Sequence, residues 1–219
     1  MKRLIDLSHT VEHGMITFKG LPAPIICDYL SREDSRSRYE PGTEFQIGKI
    51  EMVSNTGTYI DSPFHRYADG KDLSEINLEK LVNLEAFVVR ADYRNGIEVG
   101  KKFFEKISIK GKAILVNTNW SELWRTDAYF ENHSFLTEEA AIYLRDQGAT
   151  LVGIDSHNID DTRGKSRPVH STLLKAEIII AEHLTGLDQL PDNGFTFTAV
   201  PPKMKGMGTF PVRAYATLH

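Results

Sequence analysis

The stretch Asn55–His65 reads NTGTYIDSPFH. Gly57 permits a tight turn or a close backbone approach. Asp61 and His65 are residue types that bind metals or move protons. Asn55 and Tyr59 are poor ligands, since a phenol with a pKa near 10 must lose its proton before it ligates well. Ser62 precedes Pro63 and is thereby held extended. The four-residue spacing of Asp61 and His65 is therefore not the helical ligand pair of an HExxH motif, and an irregular loop is expected here. Two readings follow. Either Asp61 caps the amides of Phe64 or His65 in a turn, or both side chains converge on a shared site.

Outward from this stretch, short apolar runs bounded by Gly, Pro, Asn and Asp dominate. RLIDLS at the start reads as a strand, and FQIGKIEMVS alternates as a half-buried strand feeding the Gly57 turn. EAFVVRADY, KAILVNTN, ATLVGIDS and EIIIAEHL have compact apolar centres, which predict strands covered on both faces. FTFTAVPP and PVRAYATL close the chain. The clearest helix is LTEEAAIYLRDQG, with Thr137 as N-cap, Glu138 and Glu139 in the first turn and Gly148 beyond the end. LSEINLEKLV and GKKFFEKI read as short helices or helical turns. VHSTLLKA reads as a short helix with Ser171 near its start. Residues 31–44, SREDSRSRYEPGTE, are the most polar stretch and read as an exposed loop or a lid. The pattern predicts one α/β domain over residues 1–219, strand-rich with helices as a minority layer.

Of 219 residues, 41% are hydrophobic and 26% charged, and the formal net charge is −4. No basic run stands out, so nucleic acid is not an expected partner. The single cysteine, Cys27, excludes a disulfide framework and a thiolate metal cluster, and reads as a small buried hydrophobe. MKRLIDLSHT lacks the apolar run of a signal peptide. No stretch approaches the roughly 20 apolar residues that span a bilayer. A cytoplasmic location and no membrane partner are expected.

Nucleophile-elbow and phosphate-loop motifs are absent, which leaves carboxylates and imidazoles. A second group of them lies in GIDSHNIDDTRGKSRPVHSTLLKAEIIIAEHL: His157, Asp160, Asp161, His170 and Glu182. Glu182 sits in an apolar run, at or near the end of a buried strand. An ionised carboxylate there is costly unless paired, hydrogen-bonded or metal-bound. It otherwise faces outward or pairs with an arginine. His183 would point to the opposite strand face.

These residues resemble the cyclase-like metal-dependent hydrolases that include bacterial kynurenine formamidase. The motif of that family is His-x-Gly-Thr-His-x-Asp-x-Pro-x-His. Gly57, Thr58, Asp61, Pro63 and His65 match it, while Asn55 and Tyr59 replace two histidines. DLSHTVEHGM, FKGLPAP, NTNWSELW, LVGIDSHNID and PVRAYA resemble further segments of the family, so the likeness runs nearly end to end. It implies a swivelling β/β/α fold, a homodimer or homotetramer, and a divalent-metal centre often holding two zinc ions. One metal position would fall on Asn55, Tyr59, Asp61 and Glu182, and has lost both imidazoles. The other, Asp61, His170 and Glu182, is a full three-ligand set with room for water. The expectation is one divalent ion there, zinc first and manganese second. Two alternatives stay open: a metal-free site filled by Tyr59 and Asn55, or a lost position rebuilt by His157 or Asp160. The resemblance also implies an arylformamidase-like hydrolase of tryptophan catabolism. It would act on a small aromatic amide, formyl-amide, lactam or lactone through a metal-activated water. His65 would be its proton donor and acceptor, and Phe18 and Trp120 would contact substrate. Trp124 reads as core. The competing class is a catalytically silent relative that binds a small ligand or serves as a structural subunit.

Overall fold

A computed structural model describes residues 2–219. Its strands are β1 (Arg3–Asp6), β2 (Ile25–Leu30), β3 (Ile47–Glu51), β4 (Tyr59–Asp61), β5 (Leu84–Arg90), β6 (Glu98–Val99), β7 (Ala113–Asn117), β8 (Phe135–Leu136), β9 (Leu151–Ile154), β10 (Ile179–Glu182), β11 (Phe195–Thr198), β12 (Thr209–Pro211) and β13 (Tyr215–Leu218). Nine of them form one mixed sheet in the order β1-β13-β11-β5-β7-β9-β10-β4-β12. The centre β5-β7-β9-β10 is parallel, and both flanks are antiparallel.

Side-chain alternation sends each central strand into two cores. Ile114 and Val116 of β7, Val152 and Ile154 of β9, and Ile180 of β10 pack beneath two helices. These are α2 (Glu138–Asp146) and α3 (Pro168–Lys175), which supply Ala140, Ala141, Leu144, Val169, Leu173 and Leu174. Ala113 and Leu115, Leu151, and Ile179 and Ala181 face the other way. They share a second core with Ile5 of β1, Ile60 of β4 and Ala216 of β13, so the sheet curls over its own opposite face. The strand-rich α/β expectation with both faces of the central strands covered is met. Gly153 leaves room where β9 threads this core: a Cβ there would lie 2.7 Å from a Leu184 methyl and 2.9 Å from a Leu115 methyl and would displace both.

Helix α2 starts as expected: the Thr137 hydroxyl accepts from the Ala140 amide at 3.2 Å, and Gly148 is left-handed at φ 76°. LSEINLEKLV and GKKFFEKI shrink to single 3₁₀ turns at Leu78–Lys80 and Lys101–Phe103. Asn77 is extended before the first turn and Asn83 is left-handed after it, which leaves no room for a second helical turn.

Three expectations are corrected. Tyr59–Asp61 is a buried strand between β10 and β12, not an irregular loop. FQIGKIEMVS yields β3, which pairs only with β2 and is exposed on both faces rather than half-buried. Cys27 lies on β2 and is exposed, because no layer covers this hairpin. Residues 31–44 sit at the end of the same hairpin, with the short helix α1 (Arg32–Ser35) and a 3₁₀ turn, and are exposed apart from Ser35 and the intermediate Ser31. No helix among the described residues is long and apolar enough to cross a membrane.

Candidate active site

The carboxyl ends of the central strands, β4 and the start of α3 meet at a cavity of about 270 Å³. Phe18, Leu21, Asn55, Tyr59, His65, His170 and Glu182 line it, joined by Arg66, Asn158 and Arg167. Most residues singled out in the sequence thus converge from four distant segments. Trp120 does not. Its indole is buried and donates to the Tyr129 carbonyl at 3.0 Å, outside the cavity lining. Trp124 stacks on His9 at 3.8 Å between ring centres. No residue of 31–44 lines the cavity.

Asp61 ends β4 with no exposure, and its Oδ2 has no hydrogen-bond partner among the described residues. Leaving an ionised oxygen buried and bare is costly. Its neighbour is His170 Nε2 at 3.6 Å, which also lies 3.8 Å from Glu182 Oε1. The other His170 nitrogen, Nδ1, faces Asp160 Oδ2 at 2.6 Å. Asp160 further accepts the amides of Val169 and His170, at 2.7 and 3.0 Å. A carboxylate accepts only, so Nδ1 carries a proton and Nε2 is the nitrogen turned towards Asp61 and Glu182, where a bound cation would take the place of a proton. Burial works against charging this imidazole, but Glu182, Asp160 and Asp61 outweigh it and raise its pKa to about 10. Burial also pushes against ionisation of Asp61, yet His65, His170 and Thr209 hold its pKa below the usual value.

His65 closes the 3₁₀ turn Pro63–His65. Its amide donates to Ser62 and the Phe64 amide to Lys71, so Asp61 caps neither. Gly208 lies flat against the His65 backbone, where a Cβ would collide with it. The Thr209 hydroxyl donates to Asp61 Oδ1 and contacts His65 Nδ1 at 2.8 Å. One hydroxyl has one proton, and the carboxylate takes it. The threonine oxygen therefore accepts from Nδ1–H, which leaves Nε2 of His65 as the basic atom. No sequence motif marks Thr209, which lies 148 residues from Asp61.

Tyr59 and Glu182 are register partners across β4 and β10. Tyr59 Oη donates to Glu182 Oε2 at 2.6 Å, and the Ile159 amide donates to Oε1 at 2.6 Å. Burial, with Glu182 and Asp61 nearby, raises the phenol pKa well above its ordinary value, so Tyr59 keeps its proton and donates it to Glu182. Burial likewise pushes Glu182 upward. His183 is left-handed at φ 54° and turns away from the cavity into a buried aromatic group. There Tyr129 Oη lies 2.9 Å from its Nδ1, and His157 stands 5.7 Å from it between ring centres. His157 is itself 4.7 Å from Phe18.

Asp61, His65 and His170 each offer one ligand atom within 4.8 Å of the others, a grouping able to hold a metal ion. Glu182 stands beside it. Asp160 sits behind His170 as its hydrogen-bond acceptor. That is the arrangement of a carboxylate that orients a metal-binding imidazole.

The chain is similar to several known proteins. Kynurenine formamidase of Bacillus anthracis is 29% identical over 217 residues, covering 96% of this chain and 95% of its own. A solved structure described as a potential metal-dependent hydrolase with cyclase activity superposes with a TM-score of 0.80 at 26% identity, over 100% of this chain and 99% of that one. Isatin hydrolase A from Labrenzia aggregata, solved with benzyl benzoate, shares the fold with a TM-score of 0.84 at 23% identity, over 99% and 94%. The family model described as putative cyclase matches residues 5–161. The chain belongs to the putative cyclase family.

Proposed function

We propose that this chain, as one domain over residues 1–219, is a metal-dependent hydrolase of amide C–N bonds or the C–O bond of the corresponding lactone. Its substrate would be a small aromatic formyl-amide, amide, lactam or lactone. The observation that carries the reading is the bare, buried Oδ2 of Asp61 set 3.6 Å from Nε2 of His170. A carboxylate oxygen without a hydrogen bond and a protonated imidazole nitrogen held among carboxylates fit a divalent cation that would displace that proton. Asp61 and His170 would hold it, with Glu182 Oε1 completing the set and His65 kept free. Zinc suits the imidazole and manganese the carboxylates. When bound, the cation supplies an acidified water and a polarised substrate carbonyl.

The chain's own residues do the rest. His65 Nε2, fixed as a lone pair by Thr209, takes a proton from the attacking water. It returns that proton to the leaving nitrogen. Phe18 and Leu21 give a flat ring an apolar wall. The likeness to kynurenine formamidase supports an arylformamidase-like role in tryptophan catabolism, and a cytoplasmic location is part of the same proposal.

A homodimer or homotetramer is part of the same proposal. It is supported by Ile25, Tyr29 and Ile50, which are 47%, 75% and 60% exposed on the uncovered β2–β3 hairpin. Light scattering on a sizing column measures that state directly.

The second reading, a catalytically silent relative that binds a small ligand, is favoured by one observation: the Tyr59–Glu182 hydrogen bond closes part of the site. Metal analysis and N-formylkynurenine hydrolysis separate the two. A stoichiometric metal, with activity abolished by chelator and by His65→Ala, is expected. A protein that stays metal-poor and inert after incubation with zinc or manganese overturns the hydrolase.

A further inference from the structure

We infer that the cavity selects substrates that carry a carboxylate beside the scissile aryl amide, with Arg66 and Arg167 as the anion-binding pair. The inference rests on the hydrolase reading above and names its substrate class.

Both arginines are tied to the elements that build the site. Arg66 directly follows His65, and Arg167 directly precedes α3, which carries His170. Both line the cavity. Neither is ion-paired among the described residues, whereas nearby Arg163 grips both oxygens of Asp161 at 2.8 Å each. Arg66 commits only Nε, to the Ser171 hydroxyl at 3.2 Å. Arg167 commits only Nη1, to the carbonyls of Ser166 at 2.7 Å, Gly164 at 2.9 Å and Asp161 at 3.4 Å. Those carbonyls anchor the guanidinium without neutralising it. The remaining N–H groups of both side chains form forks of the shape a carboxylate accepts.

The charge balance points the same way. A divalent cation would offset Asp61 and Glu182. The buried Asp160 carboxylate is spent on His170 and two amides. Two guanidiniums then face the cavity unmatched, which favours an anionic substrate over a neutral one. The cavity, about 270 Å³, holds one ring with small substituents.

The test compares para-formamidobenzoate with formanilide on the full-length, metal-loaded protein. Binding of para-aminobenzoate and of aniline is measured by calorimetry beside it. Arg66→Gln and Arg167→Gln are the variants. Arg167→Lys is added because the native side chain also holds the 161–166 loop. The expected result is a kcat/KM preference for the carboxylate of roughly tenfold or more, carried by KM. It shrinks in each Gln variant and with added salt. Equal treatment of the two substrates overturns the inference. So does a preference that survives in both Gln variants, since the anion would then be held elsewhere. Should neither compound be hydrolysed, the hydrolase reading is decided by the metal analysis and N-formylkynurenine assay above, and calorimetry decides the anion site. Tighter binding of para-aminobenzoate that Arg66→Gln weakens upholds the anion site, and equal binding of the two ligands refutes it.

Discussion

Tyr59 and Glu182 face each other in register across two antiparallel strands, with 2.6 Å between phenol and carboxylate. The pair explains how a chain lacking two motif imidazoles keeps a buried glutamate. The phenol, held un-ionised by burial, supplies one hydrogen bond, and the Ile159 amide supplies another. Tyr59→Phe removes one of these partners. In chelator-treated protein the expected loss of stability is about 1–3 kcal/mol. With zinc present the loss is expected to be smaller, because the cation would then partner Glu182. Urea unfolding with and without metal reads both. An identical loss in the two conditions would show that Glu182 takes no part in metal binding.

The Asp61–Thr209–His65 chain separates metal binding from proton transfer. His65→Ala is expected to keep its metal, measured by mass spectrometry, while kcat falls by about 10²–10⁴. Thr209→Val removes the hydroxyl that accepts from His65 Nδ1. It is expected to lower kcat at least ~10-fold while the metal content stays stoichiometric. Thr209→Ser, which keeps the hydroxyl, recovers most of the rate. If His65→Ala loses the metal instead, the grouping Asp61–His65–His170 is the ligand set and the base must be sought elsewhere.

How much of this was visible beforehand varies with the physics of each element. KAILVNTN and ATLVGIDS announce themselves as strands because both faces must be apolar between two cores. Tyr59–Asp61 does not, since a three-residue strand between Gly57 and Pro63 exists only through pairing with β10 and β12. The convergence of Asp61, His65, His170 and Glu182 came through the family likeness, not through spacing. Thr209 carried no signal at all, because a lone threonine near the end of a chain has no local pattern. Trp120 lies outside the cavity lining because its indole, beside a polar turn, is buried and donates to the Tyr129 carbonyl. The exposed hairpin also escaped notice, because alternation in β3 describes a face without saying what covers it.

Acid should unfold the protein through its neutral imidazoles. Burial lowers the pKa of His9 to about 4 and of His157 to about 3, and it lowers His133 and His183 as well. Each folded-state value lies below the unfolded one, so each contributes stability that is complete above about pH 6.5 and is lost as pH falls. Asp155 and Glu182 act in reverse. Burial raises each to about 7, so they favour the folded state at low pH and lose that contribution as pH rises. Four imidazoles against two carboxyls leave a net uptake of protons on unfolding. Stability is expected to fall as pH drops from 6 to 4. Urea midpoints across that range check it, and a flat or rising profile would show that these imidazoles are solvated.

Asp160 is the residue whose change most cleanly tests the metal centre without touching a ligand. It accepts three hydrogen bonds, from the amides of Val169 and His170 and from His170 Nδ1. That fixes both the first turn of α3 and the Nδ1 proton, so that Nε2 is the nitrogen turned towards Asp61 and Glu182. Asp160→Asn is nearly isosteric but replaces one acceptor oxygen with a donor. If the amide oxygen keeps the imidazole, the backbone amides lose a partner, and if it keeps the amides, His170 can turn over. Metal affinity is expected to drop about 10–100-fold, the range found for partners behind a metal-bound imidazole. Competition with a fluorescent chelator measures the affinity, and a thermal melt in chelator separates it from loss of fold. Unchanged affinity in a folded variant would mean that His170 does not bind the cation through Nε2.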